Sequence, residues 1–186
     1  ASTPPPRAST PQVVFQADWT HGAGDWHLPP HWTLVDGALV SDGYATQNVP
    51  VPYTVTATRY RVEMTARVVD VTVKRTSYNN YFGILALDDR GARQFEAESI
   101  GFGPLPFHGD SWLIGADGTS HAWELTIGSN ARTYRVDVYG KQVVFYPGGS
   151  GSIGGVTNAQ GNTPAHLYIE ASQVQVVITK FVIMTI

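Results

Sequence analysis

The chain has 186 residues and a formal net charge of −3, from 12 Lys and Arg against 15 Asp and Glu, with no Cys. This length suits one β-sandwich domain, and 42% apolar residues can fill its core, which excludes wholesale disorder. No basic block favours nucleic acid, no apolar run approaches the roughly 18 residues that span a bilayer, and the missing Cys excludes disulfides and thiolate metal sites.

Charged residues are only 15%, while 19 Gly and 12 Pro accompany many Val, Thr and Tyr, the make-up of an all-β chain with loops. The chain opens on Ala1 without Met or a signal peptide, as a mature or excised fragment would. Residues 1–11, ASTPPPRASTP, offer nothing to bury and are expected to form an extended linker or stalk tethered to something upstream, with one sandwich domain over 12–186. Val13–Ala17 predicts a short strand, followed by a Gly-rich loop to Trp26. Pro29-Pro30 blocks helix, and Trp32–Val40 carries the hairpin signal Asp36-Gly37. Asp42-Gly43 predicts another turn, and Pro50 and Pro52 mark a sheet edge or a crossing between sheets.

Arg59–Asp70 is the clearest strand. Tyr60, Val62, Met64, Ala66 and Val68 fall on one face; Arg59, Arg61, Glu63, Thr65 and Arg67 fall on the other, a period of two that no helix produces. Tyr81–Leu87 is apolar on both faces and is expected to be central; after the turn Asp88–Gly91, Arg93–Ile100 returns. Gly101–Asp110 is expected to be a loop, Ser111–Ile114 a brief strand and His121–Ile127 a further one. Ala131–Tyr146 is a hairpin: Tyr134, Val136 and Val138 point to the core, and Gly140-Lys141 fits a type II′ turn whose first residue needs positive φ. Gly148–Gly161 is expected to be a flexible surface connection. Ala165–Glu170 and Val174–Ile186 close the chain. About a dozen short strands and no convincing 3.6-residue period predict an antiparallel two-sheet jelly-roll sandwich.

Phe15-Gln-Ala-Asp-Trp19, a Gly-rich loop, Trp26 and then Trp32-Thr-Leu-Val-Asp-Gly-Ala-Leu39 resemble the opening of LamG-like, concanavalin A-type jelly rolls. The hairpin Arg132–Lys141 is similar to a late hairpin of that family, and Val174–Ile186 to its closing strand, which pairs with the first. The resemblance covers nearly all of Val13–Ile186 and implies binding of carbohydrate or another surface ligand, in the manner of bacterial surface and sensor ectodomains. It also allows calcium as a cofactor, with Asp18 as candidate ligand; Asp18 as a turn or cap residue is the alternative. The aromatic stretch Asp88–Trp112 departs from the family pattern.

Glu96 and Glu98 lie two apart on one strand and leave the same face, with Cα atoms about 7 Å apart. Flexed carboxylates at that spacing reach the roughly 5 to 5.5 Å of a retaining glycosidase, yet no third acid stands among Phe95, Ala97 and Ser99. Tyr78, Tyr81, Phe102, Phe107 and Trp112 surround His108 and Asp110; rings cover the apolar faces of sugars while carboxylates and amides take hydroxyls. Trp19, Trp26, Trp32 and Trp123 are expected in the core, and Trp112 toward ligand. His27 and His31 are separated by Pro29-Pro30 and share no face, and His121 and His166 have no evident Ser or Asp partner. Gly149–Gly154 matches G-x-G-x-x-G without the helix that would receive phosphate.

The expectation is therefore a non-catalytic extracellular module that binds carbohydrate or another surface ligand through Tyr78, Tyr81, Arg93, Glu96, Glu98, His108, Asp110 and Trp112. It needs no cofactor, with calcium as the option at Asp18, and has no nucleic-acid partner and no membrane-inserted segment. A glycan hydrolase using Glu96 and Glu98, and a structural or protein-interaction module without small ligand, are the alternatives.

Overall fold

The computed structural model describes residues 10–71, 80–101, 107–127, 129–148, 151–157 and 164–186. Residues 1–9 of the expected linker or stalk over 1–11, Tyr78 and Phe102 lie outside these residues, as do the side chains of Phe107 and His108. The described chain forms fourteen strands: β1 (Gln12–Gln16), β2 (Trp32–Val35), β3 (Ala38–Ser41), β4 (Val49–Val55), β5 (Arg59–Val71), β6 (Tyr81–Leu87), β7 (Arg93–Gly101), β8 (Phe107–Gly115), β9 (Ser120–Ile127), β10 (Arg132–Tyr139), β11 (Gln142–Tyr146), β12 (Ile153–Thr157), β13 (Ala165–Ser172) and β14 (Val174–Thr185).

They make two antiparallel sheets. One runs β12-β11-β10-β5-β14-β3-β2, with β1 added to the end of β14; the other runs β4-β13-β6-β7-β8-β9. The alternation of β5 has its expected effect: Tyr60, Val62, Met64, Ala66 and Val68 are all buried, and the charged set faces out. Phe82 of β6 meets Tyr134 of β10 edge-on at 5.1 Å, joining the two sheets through the core. Trp26 packs edge-on against both Trp19 and Phe181, a second aromatic group within the same core.

The hairpin β10–β11 turns at Gly140, whose φ of 62° needs no Cβ to accommodate, and β10 pairs with β5 over eight residues. The first and last strands pair. β4, with Pro50 and Pro52, is the edge of the six-stranded sheet, where a missing N–H does least harm. β6 is central, as its two apolar faces require.

Four expectations change. Gly101–Asp110 is not all loop and Ser111–Ile114 is not brief: β8 spans nine residues from Phe107, because pairing with both β7 and β9 outweighs the local Gly. Gly148–Gly161 contains β12, which pairs with β11 through Ile153 and Val156, both buried. Trp123 is 53% exposed. It points to the inner side of the sheet, but β9 is an edge strand and the core runs out there. His166 does have an acidic partner, with its Nε2 2.6 Å from Asp89 Oδ1.

On the outer face of the eight-stranded sheet, Arg61 donates from Nε and Nη2 to the two oxygens of Asp137, at 2.7 and 2.8 Å. Asp137 is 1% exposed and is held by that fork, by Arg135 Nε at 3.5 Å and by the Tyr139 hydroxyl, which donates to it at 3.1 Å.

Candidate functional site

The outer face of the six-stranded sheet is built by parity. In β7, Phe95, Ala97 and Ser99 turn inward, which sends Glu96 and Glu98 outward. In β13, Leu167, Ile169 and Ala171 turn inward, which sends Glu170 to the same face. Register then aligns the acids. Glu170 pairs with Gly83 of β6, Gly83 with Glu98, Glu98 with Trp112 of β8, and Trp112 with Ala122 of β9. Tyr81 heads the neighbouring row with Ile100, Asp110 and Glu124; Glu96 lies in the row on the other side.

Gly83 allows this row to close. A Cβ there would stand 2.2 Å from the Ala97 carbonyl oxygen and 2.7 Å from Glu98 Cα. No side chain separates Glu170 from Glu98, and one oxygen from each of Glu96, Glu98 and Glu170 lies within 4.8 Å of the other two.

The three acids have unequal surroundings. Glu98 is 8% exposed and Glu170 2%. Burial, and after it the charge and hydrogen bond of Glu96, push the Glu98 carboxyl up to about 8 against the relief of Arg93. Burial, and after it the charges of Glu96 and Glu98, push Glu170 up to about 9, although Asn48 Nδ2 donates to its Oε1 at 3.1 Å. The Glu170 Oε2 is buried and has no hydrogen-bond partner. Glu96 is held instead by Arg93, whose Nη1 donates to its Oε2 at 3.1 Å. Tyr81 faces the same group: burial first, then the charges of Glu170, Glu98 and Glu96, push its hydroxyl up to about 12.

Of the expected site residues, the structure therefore brings together Arg93, Glu96, Glu98 and Trp112, with Tyr81 and Asp110 in the neighbouring row. Tyr81, Arg93, Glu96, Asp110 and Trp112 are half-buried. Of His108 only the backbone, in β8, is described, and Tyr78 lies outside the described residues. Sequence reasoning missed Glu170 and Asn48. The available signal was a lone carboxylate in the apolar strand AHLYIEAS, and only the register connects it to Glu98.

Asp18 lies elsewhere. Its carboxylate accepts hydrogen bonds from the Thr20 hydroxyl and, at 3.0 Å, the Thr20 backbone N–H, and these hold it below the usual carboxylate range. It borders a cleft of about 480 Å³ with Gln16, Trp19 and Thr179. A second cleft of about 480 Å³ lies between Val35, Arg67 and Val177 on the eight-stranded sheet; neither cleft touches the carboxyl group of three. His31 Nδ1 lies 2.8 Å from Asp42 Oδ2.

No protein-family model and no curated protein matches the chain. Solved structures do. A pseudo β-1,3-glucanase and immunostimulatory antigen of Mycobacterium tuberculosis aligns with TM-score 0.62 at 11% identity, over 94% of this chain and 99% of that one. The PL7 alginate lyase of Zobellia galactanivorans aligns with TM-score 0.60 at 9% identity, over 84% and 81%. The CBM2 module of the evolved Dit protein of Lactobacillus casei BL23 phage J-1 aligns with TM-score 0.58 at 7% identity, over 94% and 96%. Likeness at these identities is a likeness of architecture: the chain is a concanavalin A-like jelly-roll sandwich of two antiparallel sheets.

Proposed function

We propose that the outer face of the six-stranded sheet binds a glycan, and that the chain is a non-catalytic carbohydrate-binding module acting outside the cell. The observation that carries this reading is two half-buried rings, Tyr81 and Trp112, beside a carboxyl group of three whose deeper members, Glu98 and Glu170, are buried and pushed toward their neutral forms. Rings take the C–H faces of a sugar, and Glu96, Arg93 and Asp110 take its hydroxyls. Catalysis is less well served. Glu98 is almost wholly buried and hydrogen-bonded to Glu96, so the pair does not stand on either side of a scissile bond. The Pro-rich composition of residues 1–11 suits a tether to a larger surface protein, as in a sensor ectodomain.

The test is a glycan array followed by calorimetry on the best ligand, with wild type and Trp112→Ala. Binding that Trp112→Ala weakens at least tenfold supports the reading; no glycan bound, or no effect of the substitution, contradicts it.

One observation favours a second reading, a glycan hydrolase. Glu98 is a carboxylic acid near neutral pH while Glu96 is paired with Arg93, the division of labour that acid and nucleophile need. Release of reducing ends from a bound glycan, lost in Glu98→Gln, would establish it in place of the binding module.

A further inference from the structure

We propose that Glu96, Glu98 and Glu170 form a site for a hard divalent cation, calcium by its ligand chemistry. Three oxygens mutually within 4.8 Å share a centre no more than about 2.8 Å from each. A slight contraction brings that to the 2.3 to 2.6 Å of calcium–oxygen bonds. Charge closes as well. The ion displaces the protons that Glu98 and Glu170 hold without it; the three carboxylates then carry −3, a divalent ion supplies +2, and the Arg93 guanidinium on Glu96 supplies the remaining +1.

A second observation points to an absent partner rather than to a chance gathering of acids. The Glu170 side chain is 2% exposed, Asn48 satisfies its Oε1, and its Oε2 is a buried acceptor that receives nothing. Buried polar atoms in folded proteins are nearly always paired, so this one calls for a partner that the protein itself does not supply. The strand between the two deeper acids contributes Gly83, so no side chain stands between Glu98 and Glu170. Burial selects the kind of cation. With Glu98 8% and Glu170 2% exposed, a single ion fits where a sugar ammonium does not. Magnesium holds its waters in a tight octahedron, whereas calcium takes several carboxylates in flexible geometry and accepts both oxygens of each. The site is distinct from Asp18, whose carboxylate is bound by Thr20 at the end of the other sheet.

The experiment uses the whole chain after treatment with a chelator, with no sugar present, so its failure leaves the glycan reading standing. Calcium is titrated calorimetrically into wild type, Glu170→Gln and Asp18→Asn. Terbium is the second probe: Trp112 faces Glu98 across the strands, so excitation of the indole should sensitise bound terbium. The expected result is one saturable calcium site, displacement of sensitised terbium by calcium, at least tenfold weaker binding in Glu170→Gln, and unchanged binding in Asp18→Asn. The proposal is overturned if wild type takes up no calcium at about 10 mM, well above the roughly 10⁻³ M of weak extracellular sites. It is equally overturned if Glu170→Gln binds within twofold of wild type, or if Asp18→Asn abolishes binding. Thermal unfolding of each variant checks that it is folded.

Discussion

Glu170→Gln should stabilise the protein, and should do so only at neutral and alkaline pH. The folded state raises this carboxyl from an ordinary 4.5 to about 9, and Glu98 from 4.5 to about 8. Below pH 4.5 both acids are protonated whether the chain is folded or not, and no cost arises. Between pH 4.5 and 9 the unfolded chain releases these protons while the folded chain retains them, so stability falls as pH rises and levels off above about 9. At about 1.4 kcal/mol per pH unit, the full cost for Glu170 alone is roughly 6 kcal/mol. Coupling to Glu98 shares that cost between the two buried acids, and about 3 kcal/mol is the gain expected from one substitution at pH 9. Gln keeps the shape and can still accept from Asn48. For a chain of this length about 3 kcal/mol corresponds to a rise in Tm of roughly 6 to 12 °C. The assay is thermal and urea unfolding of wild type and Glu170→Gln at pH 5 and pH 9, in the presence of a chelator. The reasoning is refuted if wild type gains stability from pH 5 to pH 9, or if the advantage of the variant is the same at both.

Other substitutions test other parts of the structure. Gly83→Ala should lower stability by more than 2 kcal/mol and separate Glu170 from Glu98, since its Cβ would meet the Ala97 carbonyl oxygen at 2.2 Å and backbone cannot yield cheaply; urea unfolding reads the first effect and calcium binding the second. Asp137→Ala should cost about 3 kcal/mol in the same assay, because it strips Arg61 of a buried bidentate partner, and Asp137→Asn should cost less. Trp112→Ala should leave the folded state within about 1 kcal/mol of wild type, as a half-buried outer-face side chain, while removing glycan binding.

Much of the fold is legible in the sequence because its strands are patterned one at a time. The ten alternating positions of β5 and the Gly140 turn of the β10–β11 hairpin determine their own faces locally. Where pairing decides the outcome, local reading fails. Phe107-His-Gly-Asp110 reads as loop until β7 and β9 flank it, and Ile153-Gly-Gly-Val-Thr157 reads as linker until β11 supplies hydrogen bonds and core contacts. Trp123 shows the converse: its parity is inward, but only the sheet order reveals that it stands at an edge. The site divides in the same way. Glu96 and Glu98 announce themselves by spacing. Glu170 is more than 70 positions away along the chain, and nothing in the sequence near it indicates that two registers through Gly83 place it beside Glu98. Burial was also out of reach: two residues apart on one strand, Glu98 is buried and Glu96 keeps contact with Arg93 and solvent.

Glycan binding by the outer face of the six-stranded sheet is tested most directly by calorimetric titration of array-selected glycans into wild type and Trp112→Ala. A saturable heat with wild type that is absent or at least tenfold weaker with the variant, whose Tm is retained, is the predicted result. Equal binding by both proteins, or no binding by wild type to any glycan, would contradict it.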